Sequence, residues 1–377
     1  MVIHFPERFS FIEEPDQAIE ILETLVAASL HHATKRIYIQ QDRCSLIDLC
    51  AEAAASALAI DACNHCRVSF GGQFPESSEQ REIVIATGMP RNLGISLPEP
   101  PGFLRFALHK GRRSNRERAT ISSEREKAAT NLTEYVNRCL KEVGYSLSTR
   151  GAKYLADIVG EVINNAEEHS GLAEWWIAGY LRRRDDREYG DCHVTIFNFG
   201  HTIHESLLTL PKASQLRQDI EELVRIHAKA GYFQRSRWSE EGLWTLYALQ
   251  EGVSRHNTES DRIGDRGIGT ADMIDFFQRL GRTQSPDRSP KMSVVSGQTH
   301  IVFDDRYRLA PQTTESGEKR RIIAFNDDND FRKPPSDQHV RRLERRFPGT
   351  LISLRFYIDQ EHLRSVVAKD KDEGRHD

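Results

Sequence analysis

The order of helical and strand patterns between residues 148 and 358 constrains the fold of this 377-residue chain most strongly. Helical spacing of apolar residues alternates there with short, strand-like apolar runs. In chain order, helices are predicted at 148–169, 215–230, 240–252 and 338–347, and strands at 174–183, 191–198, 293–296, 300–303, 321–325 and 350–358. This order is typical of an α+β fold, a two-layer α/β sandwich whose sheet carries helices on one face.

Changes in composition and pattern divide the chain into four parts. Residues 1–111 alternate strand and helical patterns, which predicts a smaller α/β domain. Residues 112–127 are polar and mostly basic and are interpreted as a linker. The larger domain covers 128–360, and the charged segment 361–377 is predicted to be a disordered tail. Within the smaller domain, strands are expected at 36–40, 66–70 and 82–86, and an alanine-rich helix at 46–60.

Charge and hydropathy narrow the classes of function. The net charge of −4 gives no general reason to expect nucleic-acid binding. No apolar run reaches the ~18 residues that a membrane-spanning helix needs. The first residues do not have the pattern of a signal peptide, so we expect a cytoplasmic protein without a membrane partner.

The six cysteines are too sparse in a chain of this length for a disulfide framework. Cys63 and Cys66 form one C-x-x-C pair, with His65 between them and Cys44 and Cys50 upstream. A structural zinc site needs four ligands, usually from two such pairs, and a second pair is absent from the sequence. Reduced core thiols are the favoured interpretation, and metal binding by Cys63 and Cys66 is left open.

The predicted helix at 148–169 carries three polar residues on one face. Glu161, Asn165 and His169 are four residues apart, and the opposite face is apolar. An amide oxygen is a suitable ligand for Mg²⁺, and a carboxylate can orient or deprotonate a water aimed at a terminal phosphate. The alternative is that these residues form an ordinary solvated helix face.

Two further segments have patterns compatible with a nucleotide site. A strand ends at Asn198 and is followed by Gly200, which lets backbone approach a flat ligand. A glycine turn then precedes an amphipathic helix, and such a turn offers unpaired N–H groups to phosphate. Its residues are Asp265, Gly267, Ile268 and Gly269. Each segment alone also fits a plain turn. Thr350 opens the last strand, and its hydroxyl is available either to a ligand or to cap the turn.

Taken in order, these segments resemble the GHKL ATPase superfamily, which includes DNA gyrase, the ninety-kilodalton heat-shock chaperone, sensor histidine kinases and MutL. The resemblance covers about 148–358 and implies a Bergerat-type ATP-binding fold. It implies that Glu161 is the catalytic base, that Asn165 binds Mg²⁺, and that Asn198 and Gly200 lie at the adenine. It further implies that the triphosphate and base are bound by Asp265, Gly267, Ile268, Gly269 and Thr350.

Two positions depart from the family pattern. Asn198 replaces the usual aspartate, so its hydrogen bond to the adenine amino group would carry no charge. Thr202 stands where a second glycine is usual. The helical stretch 204–264 between the second and third motifs is interpreted as an ATP lid, in which Lys229, Arg235 and Arg237 are candidate phosphate contacts.

The N-terminal strand–helix–strand order at 36–70, directly before such an ATPase, resembles the STAS domains of bacterial anti-sigma-factor antagonists.

Taken together, the motifs and the two resemblances predict a cytoplasmic, Mg²⁺-dependent ATP-binding switch for a partner protein, able to dimerise. One alternative is a histidine or anti-sigma-like serine kinase, for which His31, His32 and His109 are the upstream histidines. Another is a degenerate nucleotide-binding module, which Asn198 and Thr202 favour.

Overall fold

A computed structural model describes residues 1–113, 123–183, 189–235, 237–253, 269–280, 289–304, 306–313, 319–361 and 363–364, without the side chains of residues 169, 279 and 280. These residues form a mixed α+β fold with several sheets, as the sequence predicts. The strands are β1 (Val2–His4), β2 (Arg8–Phe9), β3 (Arg36–Gln40), β4 (Leu46–Ile47), β5 (Ser69–Gln73), β6 (Phe103–Arg112), β7 (Glu174–Arg183), β8 (Tyr189–Phe199), β9 (Lys291–Phe303), β10 (Ala310–Thr313), β11 (Lys319–Ile322) and β12 (Val340–Asp359). The helices are α1 (Pro15–Leu30), α2 (Leu49–Asp61), α3 (Ser78–Thr87), α4 (Met89–Asn92), α5 (Glu124–Lys141), α6 (Thr149–His169), α7 (Ile203–Leu208), α8 (Gln215–Lys229), α9 (Tyr232–Arg235), α10 (Glu240–Ala248) and α11 (Gly269–Leu280), with a π-helical turn at Ala62–Cys66.

The largest sheet of the described residues has five antiparallel strands in the order β6-β7-β8-β12-β9. Its first strand, β6, lies within the range expected for the smaller domain, yet it pairs with β7. Its last strand along the chain, β12, lies between β8 and β9. The sheet therefore joins segments that are far apart in sequence.

Helices α5, α6 and α11 cover one face of this sheet, which we call the helix face. Alternate strand residues such as Ile177, Ile196 and Ile352 point to it and pack against the apolar sides of the helices. The same core contains Trp238 and Leu243, so the chain just before α10 and α10 itself belong to it. That part of the expected lid is built into the domain, and residues 254–264 lie outside the described residues.

The opposite, N-terminal face is not bare. Trp176, Phe197 and Leu351 share a core with the N-terminal part of the chain, and α1 and α2 pack on β8 and β12. The sheet therefore has helices on both faces, and those on the second face come from the N-terminal part of the chain, which the sequence pattern did not predict.

Helix α2 shows why its sequence is rich in alanine. Ten of its thirteen residues are buried, so it has no solvent-facing side. It packs on the large sheet and shares its core with Ile37 and Ile39 of the small parallel sheet β1-β3-β5. Small side chains let neighbouring elements approach the helix closely on all sides. Asp48 caps its first turn by accepting a hydrogen bond from Ala51 N at Oδ1, at 2.7 Å.

Two predicted elements have a different secondary structure from the expected one. Residues 82–86 belong to helix α3, since a short apolar run does not by itself distinguish a strand from a buried helix. Residues 340–347 belong to strand β12 rather than to a charged helix. Two irregularities of register between Arg342 and Thr350 hide the strand's alternation, and its arginines pair with acidic groups on both sides of the sheet.

No helix among the described residues is long and apolar enough to cross a membrane.

Candidate functional site

Helix α6 forms where the sequence predicts it and presents the expected polar face. Ser148 caps it by accepting a hydrogen bond from Gly151 N at 3.1 Å. Its apolar side is buried against the sheet and the neighbouring helices, through Leu155, Ile158, Val159, Val162 and Ala166. Packing of that side fixes the direction in which the polar side points.

On that polar side, Glu161 is half-buried and Asn165 is exposed. Within the described residues, neither side chain has a hydrogen bond or ion pair to a protein group. The side chain of His169 lies outside the described part. A carboxylate and an amide therefore stand side by side with oxygens that are available to a ligand.

The neighbouring acidic residue Glu167 has a structural task instead. It is buried, accepts a hydrogen bond from Trp175 Nε1 at 2.9 Å and lies 3.8 Å from Arg125 of α5. A buried carboxylate with two such partners holds α6 to both the sheet and α5. This separates Glu167 in role from Glu161.

A row of three polar side chains lies across neighbouring strands on the helix face, where β8 ends. Asn198, Thr350 and Ser296 are direct cross-strand partners in β8, β12 and β9. We call them the strand-end row. Asn198 and Ser296 are buried, and Thr350 is half-buried. The Thr350 and Ser296 hydroxyl oxygens are 3.0 Å apart, and Asn198 Nδ2 donates to Phe199 O at 3.4 Å.

Two glycines next to this row, Gly200 and Gly349, allow neighbouring backbone segments to approach closely. Both have positive φ, and a Cβ on Gly200 would lie 2.0 Å from the Ser170 carbonyl oxygen. His201 N donates to the same carbonyl at 2.8 Å. The C-terminal end of α6 is thereby fixed to the end of β8, so Asn165 and the strand-end row lie toward the same end of the sheet.

Thr202, at the position where the resemblance predicts a glycine, has a clear local role. Its side chain accepts from Glu205 N, and Glu205 in turn accepts from Thr202 N at 2.9 Å, which forms a capping box for α7. The next residue, Ile203, donates its N–H to Ser296 Oγ at 2.9 Å. The start of α7 is therefore bonded directly to the strand-end row.

Of the predicted glycine turn, Asp265, Gly267 and Ile268 lie outside the described residues, and α11 begins at Gly269. Behind that helix start, Arg321 of β11 forms hydrogen bonds to Asp272 at 2.6 Å and to Glu251 at 2.7 Å. These contacts hold α11 against β11 and against the chain that follows α10. Arg321 was not predictable from the sequence, because a single arginine carries no signal for contacts with distant segments.

The same cluster affects Tyr154 on α6. Burial, and then the charge of Asp272, raises the pKa of Tyr154 to about 12. The phenol is therefore neutral at physiological pH. This contact joins α6 to α11, the two helices that carry the predicted phosphate-side residues.

The three basic candidates for phosphate contacts lie at the ends of α8 and α9 and just after α9. Lys229, Arg235 and Arg237 are all exposed.

The upstream histidines of the kinase alternative lie in two places. His31 follows the end of α1 and stacks on His32, with ring centroids 5.1 Å apart, while His109 lies in strand β6.

Four cysteines lie in the N-terminal part, Cys139 lies in α5 and Cys192 lies in β8. Cys63 and Cys66 are half-buried in the π-helical turn, and all six thiols are free. Among the described residues, no group of three or more His, Cys, Asp or Glu is arranged to hold a metal ion. Burial raises the pKa of Cys44 to about 12, so that thiol is not ionised at neutral pH.

Comparison of the chain with protein-family models, with curated proteins and with solved structures found no match.

Proposed function

We propose that this chain binds Mg²⁺-ATP in a pocket of the GHKL type and that the bound nucleotide controls its binding to a partner protein. The observation that carries the proposal is the fixed joint between the end of α6 and the end of β8. It brings the available oxygens of α6 and the strand-end row to one end of the sheet. Nothing in either segment alone requires this placement.

The phosphate side is formed by Glu161 and Asn165. Mg²⁺ binds hard oxygen ligands and keeps most of its coordination for phosphates and water, so one amide oxygen is a sufficient protein ligand. Asn165 is exposed and fits this role. Glu161 is one helical turn away and is positioned to orient a water toward the terminal phosphate.

The base side is formed by Asn198 and Thr350, with Gly200 providing close backbone approach. Asn198 accepts a hydrogen bond without charge, so we expect weaker discrimination at this position than an aspartate would give. Asp265, Gly267, Ile268 and Gly269 complete the proposal as the phosphate turn. The proposal therefore includes a Bergerat-type fold for the larger domain, with the N-terminal part of the chain on the second face of its sheet.

Nucleotide binding to the full chain, measured by calorimetry with Mg²⁺, tests the proposal. We expect wild-type protein to bind ATP and Asn165→Ala to bind at least tenfold more weakly, about 1.4 kcal/mol. Asn131→Ala is the matched control, because Asn131 is an exposed asparagine on the adjacent helix α5. Absence of ATP binding by the wild-type protein would refute the proposal.

Turnover separates the roles of the two α6 residues. Glu161→Ala should retain ATP binding and lose most hydrolysis, while the exposed α5 variant Glu134→Ala should keep both. Normal hydrolysis by Glu161→Ala would show that another group is the base. Binding without turnover in the wild-type protein would favour a nucleotide-binding module, and transfer of labelled phosphate to a protein would favour a kinase.

A further inference from the structure

Ser296 occupies an unusual junction in the strand-end row. It is fully buried, accepts the Ile203 N–H at 2.9 Å and lies 3.0 Å from Thr350 Oγ1. One hydroxyl thus contacts both the first residue of α7 and a neighbouring strand. None of the sequence motifs includes this serine.

The hydrogen positions follow from counting donors and acceptors. A serine hydroxyl has one hydrogen and two lone pairs, and one lone pair accepts from Ile203. Within the described residues, Thr350 Oγ1 is the remaining hydrogen-bond partner of Ser296 Oγ. If Thr350 donated instead, the Ser296 hydrogen would be buried without an acceptor, which is unfavourable because a buried donor then loses its hydrogen bond to water without replacement.

Ser296 therefore donates to Thr350, whose own hydrogen is left for another acceptor. Thr350 is half-buried, so its hydrogen can reach solvent or a ligand. The orientation of the Asn198 side-chain amide makes its oxygen the acceptor beside this donor. Its Nδ2 donates to Phe199 O, because the flipped amide would place two oxygens 3.4 Å apart, and its Oδ1 remains the accepting end.

We propose that Ser296 is a positioning residue of the nucleotide site. By donating to Thr350 it turns that hydroxyl into a donor beside the acceptor Asn198, and by accepting from Ile203 it fixes the start of α7 to the same row. The nucleotide part of this inference rests on the proposed function. An acceptor next to a donor matches the amino group and ring nitrogen of adenine, whereas a 6-oxopurine presents the reverse pattern.

The test compares Ser296→Ala with Ser293→Ala in the full chain. Ser293 is an equally buried serine of β9, but it lies on the N-terminal face and bonds to Phe11 O and His300. Binding of ATP and of inosine triphosphate is measured by calorimetry with Mg²⁺. We expect Ser296→Ala to weaken ATP binding about tenfold and inosine triphosphate binding much less, so that the ratio of affinities falls, while Ser293→Ala leaves the ratio unchanged.

Hydrogen exchange supplies a readout that does not depend on nucleotide. The Ile203 amide should exchange at least tenfold faster in Ser296→Ala than in Ser293→Ala or the wild-type protein. An equal exchange rate in both variants would overturn the positioning role. If the wild-type protein binds no nucleotide but the Ile203 amide responds as expected, the proposed function fails while the link to α7 stands. An unchanged affinity ratio in Ser296→Ala, with ATP bound, would overturn the orientation of Thr350.

Discussion

The two faces of the five-stranded sheet are closed in different ways. On the helix face, apolar packing gives way at the ends of the strands to Asn198, Thr350 and Ser296. On the N-terminal face, aromatic side chains are surrounded by ion pairs, among them Arg182 with Glu79 at 2.5 Å and Lys291 with Glu13 at 2.8 Å. Since successive strand residues point to opposite faces, one set of strands can carry a ligand site and a permanent interface independently.

The largest expected effect tests whether the N-terminal face is purely structural. Phe11 is fully buried and packs edge-on against Phe347, with ring centroids 5.6 Å apart. We expect Phe11→Ala to lower the free energy of unfolding by about 3–5 kcal/mol, measured in urea, because it leaves a cavity between the N-terminal part and the sheet.

The control is Leu30→Ala, which removes an exposed side chain and should change stability little. ATP affinity of folded Phe11→Ala should stay within about twofold of wild type, well below the tenfold criterion for a binding residue. A loss as large as that of Asn165→Ala would show that the two faces are not independent.

An intermediate effect concerns pH and again falls on the N-terminal face. His300 is fully buried, and this burial, with the nearby charge of Arg341, lowers its pKa to about 3. Arg341 Nε donates to Nδ1 at 3.2 Å, so Nε2 carries the hydrogen toward Ser293 Oγ at 3.0 Å. The folded protein therefore holds a neutral imidazole.

The sign of the pH dependence follows. Below about pH 6.5 the unfolded chain binds a proton at this histidine that the folded chain does not, so stability present above that pH is lost as the pH falls. At pH 5 the loss from His300 is about 2 kcal/mol. His300→Gln should be less stable than wild type at pH 7.5 and have a flatter pH profile in urea unfolding. An identical slope in both proteins would contradict the assignment.

The smallest expected effect sharpens the comparison, because adjacent residues of β12 serve opposite faces. Arg345 pairs with Glu23 of α1 at 2.5 Å, and Arg346 pairs with Glu205 of α7 at 2.6 Å. All four side chains are substantially exposed, and such surface pairs contribute at most about 1 kcal/mol. We expect Arg345→Gln to increase hydrogen exchange in α1 and not in α7. Arg346→Gln should increase it in α7 and at the start of α10, whose Glu241 also pairs with Arg346 at 3.4 Å, and not in α1. The same response from both variants would mean that β12 does not separate its two neighbours.

Local patterns predicted the parts of the molecule that depend on local physics. The sequence places α6 at 148–169 and the structure has Thr149–His169, with Glu161 and Asn165 on its polar side. The end of β8 near Asn198 was equally predictable, because an apolar run followed by a glycine marks the end of a strand. The assignment of a nucleotide to these residues stays a prediction.

Features that depend on pairing between distant segments were not predictable in this way. Ser296 joins the strand-end row only because β9 and β12 pair in one register. The covered second face was missed because a helix buried on all sides, such as α2, carries no amphipathic signal of where it packs. Residues 340–347 were assigned to a helix because their charges suit one, whereas tertiary ion pairs favour a strand.

The place of β12 in the sheet also determines when the protein can fold during its synthesis. β8 emerges from the ribosome with one edge lacking its neighbour, because that neighbour is β12, the last strand of the sheet to be made. At about 5–20 residues per second, the ribosome needs on the order of ten seconds to proceed from Phe199 to Val340. During that interval the exposed edge and apolar faces of the hairpin β7-β8 are available to chaperones and to other nascent chains.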